Sequence, residues 1–385
     1  MQRIETRNVI IGAGAMGSAA AYRLARRGEP VLLIEQFPLG HYRGSSHGAA
    51  RITRHSYADP SYARLMPAAF QAWKELEADA GQSVYIRTGG VSFSPAGFDY
   101  VARVAANLES LGVPHRRMTG ADWNRVNPIF SVPATHDVVF EPDAGMLAAS
   151  RAVALQLELA RAHGGEKTQI MPSTTVRRID LDGTRPVVVT DSLTIAADRL
   201  IVAAGAWVKH LLPQLPVPLV ATRQQVLYFR PSDPAPFRIG RFPVFIFKGS
   251  KEDEAFYGMP GFLGTGIKVA RHFGPETDPD VEDRIVADAY REIVRGFLGN
   301  HIPALAGAPI DLAETCLYTV AADEHFLVDF LPGRSDVIVA SPCSGHGFKF
   351  SCLIGQVPAD MATGGPGSRR GELDLVPAWR FAIPS

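Results

Sequence analysis

Hydrophobic and polar positions are most sharply patterned near the start of the chain. In "NVIIGAGAMGSAAAYRLARRGEPVLLIEQ", Val9 to Ile11 form a short unbroken apolar run, the mark of a strand buried on both faces. A glycine-rich turn from Gly12 to Gly17 follows, then helical spacing from Ser18 to Arg27, with Gly28 where a helix C-cap belongs. Val31 to Glu35 form a second apolar run, so the order predicts a βαβ unit. Farther along, helices are expected over 57–79, 145–163 and 282–298, and from about Phe348 onward. Strands are expected at "RTGGVSFS", "RLIVAAGAWV", "QQVLYF", "PVFIF" and "DVIVAS", with a turn at Asp182-Gly183. The Gly- and Pro-rich tail "ATGGPGSRRGELDLVPAW" reads as irregular surface chain.

This alternation predicts an α/β protein, α+β overall. A Rossmann-type dinucleotide-binding domain is expected to interleave with a second domain built on a mainly antiparallel sheet. The first takes 1–85, 145–215 and 320–385; the second takes 86–144 and 216–319, as the substrate-bearing part.

Composition narrows the field. The 385 residues are 46% hydrophobic and carry 39 basic and 39 acidic side chains, so no phosphate-neutralising surface for nucleic acid is expected. No apolar stretch is long enough to span a membrane, and the opening "MQRIETRN" does not read as a signal peptide. The expectation is a cytoplasmic protein, and the absence of an association motif points to a monomer. Three cysteines, Cys316, Cys343 and Cys352, argue against a disulfide framework, and none has zinc-type spacing, so no metal is expected.

Gly12, Gly14 and Gly17 match G-x-G-x-x-G in its required strand–turn–helix setting. The first glycine permits the turn, the second lets a pyrophosphate approach the backbone, and the third lets helix and strand pack closely. Helix N–H groups then face the phosphates, and Glu35 is placed to accept hydrogen bonds from a ribose. The choice between FAD and NAD falls to FAD. The fingerprint lies at the extreme N-terminus, and two later strand-to-glycine elements, "LIVAAGAW" with Gly205 and "IVASPCSGHGFKFS", could return to the same dinucleotide. A nicotinamide enzyme would complete its site within contiguous βαβ repeats.

With "GAGAMGSAAAYRLARRG", "GSSHGAARITRHSY", "FYGMPGFLGTGIK", "CLYTVAADEHFLVD" and "SGHGFKFS" in this order, the chain resembles, over essentially its whole length, the flavin amine oxidases related to monomeric sarcosine oxidase and N-methyltryptophan oxidase. The resemblance implies that Cys316, in C-x-Y-T, carries a thioether to the 8α carbon of FAD. From the residues alone, a strand cysteine reads as a core thiol. It further implies that Arg54 and Lys349 bind a substrate carboxylate, that Lys268 promotes oxygen reduction, and that Arg51 and His47 lie beside the flavin ring. Tyr257 and His272 would line the substrate pocket, and Gly345, His346 and Gly347 would form a cofactor-side turn. No obligatory strong base is implied, since desolvation can favour the neutral amine.

The implied reaction is oxidation of an N-methyl amino acid, sarcosine first, to the primary amino acid, formaldehyde and H₂O₂, with O₂ as acceptor. N-methyltryptophan, pipecolate or proline oxidation, or an amine dehydrogenase with another electron acceptor, remain open. The chain departs from its relatives at "GSSHGAAR", where they read "GSHHGDTR", and at "SYADPSY". Both lie near the expected substrate entrance.

Overall fold

The computed structural model describes residues 2–364 apart from 252 and 282; the Gly/Pro-rich tail from residue 365 onward lies outside them. The predicted βαβ unit forms, with β1 (Gln2–Ile11), α1 (Ala15–Arg26) and β2 (Val31–Ile34). β1 pairs in parallel with β2 and with the strand Leu193–Val202, which pairs in parallel with Arg334–Ser341. Their residues are buried where the sheet is covered on both faces. α1, Ala149–Gly164 and Ser351–Gly364 pack together, α1 touching both others extensively. Close approach depends on small residues: a Cβ at Gly355 would stand 2.3 Å from Cβ of Ala19.

A second eight-stranded sheet draws strands from between those of the first, so the two sheets alternate along the chain. From one edge inward its strands run Ile310–Ala321, Leu219–Phe229, Ile267–Arg271, Ala255–Met259 and Val244–Lys248, all antiparallel to their neighbours in that series. Period-2 alternation divides its faces. One face carries Leu227, Phe229, Phe245, Phe247, Phe256, Ile267 and Val269, which form a core with Val294, Phe297 and Leu298 of the helix Asp288–His301. The opposite face carries polar and ionisable groups.

Two expected helices are shorter than their patterns. At 145–163 the first four residues, Gly145–Ala148, form a strand, and the helix starts at Ala149. Strand pairing with Ala50–Thr53 and Tyr85–Arg87 takes them, and Gly145 lies so close that a Cβ would stand 2.1 Å from the Ile86 carbonyl oxygen. The helix expected over 282–298 begins at Asp288 instead and continues to His301. Its N-terminal boundary coincides with Ala287, whose N–H donates to Gln225 Oε1 at 2.7 Å. No helix among the described residues is long and apolar enough to cross a membrane.

Candidate active site

A cavity of about 1150 Å³ runs from the βαβ turn to the polar face of the second sheet. Every residue expected at the site except Gly17 lines it. Gly17 acts from behind, since its missing side chain lets α1 cross the turn: a Cβ there would stand 1.8 Å from the Gly12 carbonyl oxygen. Gly12 has φ +101°, and a Cβ would meet the Ala203 carbonyl oxygen at 2.4 Å. α1 has no acidic side chain in its first turn and no side-chain cap at Gly14. Apart from Ala15, whose N–H donates to Ser46 Oγ at 3.0 Å, its N-terminus faces the cavity as an anion site.

Glu35 follows β2 and is buried. Its carboxylate accepts from the Ala13 N–H at 2.8 Å and the Phe37 N–H at 3.0 Å, so it is fixed at the cavity wall before any ligand arrives. Gly205, at φ +54°, opens another wall, and a Cβ there would meet nothing. An anion site, an oriented acid and a narrow glycine-lined passage fit an extended dinucleotide such as FAD.

At the far end the second sheet explains itself by register. Lys268 opposes Tyr228, Tyr257 opposes Ala270 and Ile246, Gln224 opposes Cys316, and Thr222 opposes Tyr318. Directly opposed residues share a face, as do alternate residues along a strand. Lys248, Tyr257, Lys268, Tyr228, Cys316 and Tyr318 therefore project from one face, toward the cavity that all but Tyr228 line. His272, just past its strand, donates its N–H to the Ala255 carbonyl at 2.6 Å and joins them.

Their electrostatics are unusual. Burial and the neighbouring Arg51 lower Lys268 to about 7. Burial raises the Cys316 thiol, against the pull of Arg51 and Lys268. Burial, then Arg51 and Lys268, depress His47 to about 3, and its Nδ1 lies 3.1 Å from the Gly44 carbonyl oxygen. Arg51 spends its guanidinium on the carbonyls of Ser45, His47 and Ala50, binding the loop that carries His47. Its charge still reaches the cavity.

Arg54 and Lys349 converge from distant segments. Lys349 Nζ donates to Tyr57 Oη at 2.8 Å and to the His346 carbonyl at 3.1 Å. Arg54 lies over the Tyr57 ring, 4.6 Å from its centroid, and its buried Nε and Nη1 have no hydrogen-bond partner. Burial, then Arg54, pushes Lys349 well below the ordinary lysine value. Each unsatisfied buried donor costs about 1–3 kcal/mol. Two neighbouring cations, one of them with orphaned donors, form a site that an anion would relieve. His272 feels the same field: burial, then Lys248, Lys349 and Arg54, hold it near 3, so its ring is neutral.

The turn after Ser341 closes the site. A Cβ on Gly345 would stand 2.6 Å from the Tyr318 ring and 2.7 Å from that of His272; one on Gly347 would strike the Pro342 carbonyl. His346 places Nδ1 3.2 Å from Tyr57 Oη and Nε2 3.3 Å from the Glu324 carbonyl, so it braces the wall. Cys343 lines the cavity, whereas Cys352 lies in the core beside Gln156.

Three contributors escaped sequence reasoning. Tyr57 joins the two cations, and Tyr318 Oη lies 3.3 Å from His272 Nδ1. Tyr318 was findable, since it stands two residues after Cys316 in a strand and so shares its face. Glu141 is the third: buried completely, it accepts from the backbone N–H groups of His55 and Ser56 and from the His55 ring, clamping the segment between Arg54 and Tyr57.

The chain is similar in sequence and in fold to known oxidases. The chain is 34% identical over 366 residues to monomeric sarcosine oxidase of Bacillus sp. (strain B-0618), covering 93% of this chain and 92% of that one. It is 31% identical over 375 residues to N-methyl-L-tryptophan oxidase of Salmonella dublin, covering 96% of each. Among solved structures, NikD, an unusual amino acid oxidase essential for nikkomycin biosynthesis, superposes with a TM-score of 0.83 at 21% identity, covering 96% of each chain. The family model described as FAD dependent oxidoreductase matches residues 7–361. The chain belongs to that family and is a flavin-dependent oxidoreductase.

Proposed function

We propose that this protein oxidises the N–CH₃ bond of a secondary amino acid, consuming O₂ and H₂O and releasing the primary amino acid, formaldehyde and H₂O₂. The observation that carries the reading is the pair Arg54, half-buried with two unpartnered donors, and buried Lys349, in the same cavity as Lys268 and Cys316. The sequence relation to sarcosine and N-methyltryptophan oxidases supports it.

Gly12, Gly14, Gly17, Glu35 and Gly205 would hold FAD along the passage, with Gly345 and Gly347 shaping the wall opposite. Bound FAD would take two electrons from the substrate C–N bond and deliver them to O₂. The substrate carboxylate enters between Arg54 and Lys349, which satisfies the guanidinium fork and fixes the amine relative to the cavity axis. Tyr257, Tyr318 and neutral His272 wall the amine off from water. Burial and the surrounding cations disfavour an ammonium, so the reactive neutral amine is reached without a dedicated strong base. Lys268, buried beneath the same cavity, supplies a preorganised positive charge for electron transfer to oxygen.

Cys316 is the proposed covalent anchor, through a thioether to the 8α carbon. Burial holds the thiol protonated, and Arg51 and Lys268 offset part of the cost of the thiolate that such bonding needs.

Two measurements test the reading. Purified protein precipitated with acid should keep its yellow colour in the pellet; release into the supernatant removes Cys316 from its role and leaves FAD in place. A panel of sarcosine, N-methyltryptophan, pipecolate and proline should release peroxide, with formaldehyde from the N-methyl substrates. Absence of turnover with every secondary amino acid overturns the assignment.

A further inference from the structure

Arg54 is not the only residue that brings an unsatisfied donor to the cavity. Of the described residues that line it, only Arg54 and Tyr100 hold a buried side-chain nitrogen or oxygen without a hydrogen-bond partner. Tyr100 opens the helix Tyr100–Ser110 and is 9% exposed, and its orphaned atom is the hydroxyl oxygen. Buried tyrosine hydroxyls ordinarily find a partner. One left unpaired in a cavity wall is costly to the empty protein and open to a ligand.

Its place in the fold puts it near the two cations. Tyr100, Arg103 and Asn107 stand at i, i+3 and i+7, on one face of the helix. Asn107 Nδ2 donates to the carbonyls of Tyr57 and Ala58 at 2.9 and 3.1 Å, and Arg103 Nη2 to that of Ala58 at 3.4 Å. That face is therefore pinned to the segment that carries Arg54 and Tyr57. Tyr57 is already committed: its hydroxyl accepts from Lys349 at 2.8 Å and lies 3.2 Å from His346 Nδ1. Burial raises the pKa of that hydroxyl, Arg54 pulls it down and Tyr100 pushes it up, so Tyr100 acts on the same group as Arg54.

We propose that the Tyr100 hydroxyl donates a third hydrogen bond to the substrate carboxylate, beside those from Arg54 and Lys349. This rests on the Arg54–Lys349 reading, because those residues fix where the carboxylate lies. The Tyr100 ring lines the cavity while its oxygen is buried, so the contact takes a small turn of the ring toward the bound anion. A neutral donor strengthens anion binding without adding charge to a corner already held by two cations. Tyr100 then acts as a specificity residue. A site whose buried donors are completed by a carboxylate rejects the matching amide or simple amine, which leaves them poorly paired.

Unreactive ligands separate the two readings. Butyrate matches sarcosine with a methylene in place of the amine, and butyramide replaces its carboxylate by an uncharged amide. Both are titrated calorimetrically into the flavin-loaded protein. The wild type should bind butyrate the more tightly. Tyr100→Phe should weaken butyrate binding about tenfold and butyramide binding far less. Its thermal melt without ligand should match that of the wild type, since the hydroxyl it removes has no partner among the described residues. Unchanged butyrate affinity, an equal fall for butyramide, or a lowered melt overturns the inference while leaving the Arg54–Lys349 site standing. Wild-type protein that binds the two ligands equally, or binds neither, overturns both readings.

Discussion

The two ends of the cavity are built on opposite principles. At the βαβ end the ligand surface is mostly backbone, and what matters is which side chains are missing. Gly12 and Gly17 would each place a Cβ within 2.4 Å of a carbonyl oxygen, and the one placed carboxylate, Glu35, is locked by two N–H groups. At the sheet end the surface is side chains, among them the buried cations Lys268 and Lys349. Burial is the first cause lowering Lys268 and Lys349, and each has an arginine working in the same direction. The first end is held by sterics and is stable empty. The second is held under electrostatic tension, which a bound anion relaxes. Function costs stability at one end of the cavity and almost none at the other.

The largest expected effect comes from breaking the steric end. Gly17→Ala drives a methyl to 1.8 Å from the Gly12 carbonyl oxygen, against backbone that cannot yield. It should cost at least about 3 kcal/mol and remove cofactor retention, read as flavin content and a thermal melt. Gly14→Ala meets only Ser46 Oγ at 3.1 Å, a side chain that can turn aside, so its melt should change little, while the added Cβ narrows the approach of a pyrophosphate and lowers flavin content. Equal destabilisation of the flavin-free protein by both would mean that this end is not governed by backbone clash.

Lys268→Met tests the other end with a smaller, two-signed effect. Removing the charge should slow the reaction with oxygen by about two to three orders of magnitude. The same change should stabilise flavin-free protein from riboflavin-starved cells by about 1–3 kcal/mol near neutral pH, where an unpaired buried charge is costly. The sign follows from linkage. Lys268 is lowered from 10.5 to about 7, so between those values the unfolded chain binds more protons than the folded one. Its contribution to wild-type stability should therefore rise with pH from about 7 toward 10.5. The variant should lack that rise, as urea unfolding at pH 7 and pH 9 would reveal. Unchanged stability would show that the cation is solvated or paired after all.

The same contrast explains what the sequence disclosed. The βαβ unit and its glycines were legible because their physics is local: strand, turn and helix lie within 35 residues and the glycines act on each other. The runs "QQVLYF" and "PVFIF" also marked strands of the second sheet. The patterning overran at 145–148, where apolar residues with helical spacing were claimed by strands on both sides. The charged end was named through family resemblance, since nothing local marks Arg54 or Lys349 as partners. Their meeting depends on Tyr57, which reaches Lys349 across 292 residues, and on Glu141, which holds the Arg54 segment from 86 residues away. Trp73 adds a third tie, donating from its indole to the Lys349 carbonyl at 2.7 Å.

Tyr318→Phe should give the smallest effect and the finest test of the division. The hydroxyl lies 3.3 Å from His272 Nδ1 and next to that of Tyr257, whose own value burial pushes up to about 12. If its task is to hold the neutral His272 ring in one orientation, phenylalanine keeps the wall and loses one hydrogen bond. That is worth about 1 kcal/mol, or a several-fold fall in kcat/KM, carried mainly by kcat, with carboxylate binding changed little. Gly345 supplies the reason the ring itself will stay: the turn packs against the Tyr318 and His272 rings at distances that admit no Cβ, so neither can swing away. A loss of a hundredfold or more would place the hydroxyl on the substrate itself. The neutral tyrosine–histidine pair would then share the work now assigned to the cations, and the sheet end would no longer be a purely electrostatic site.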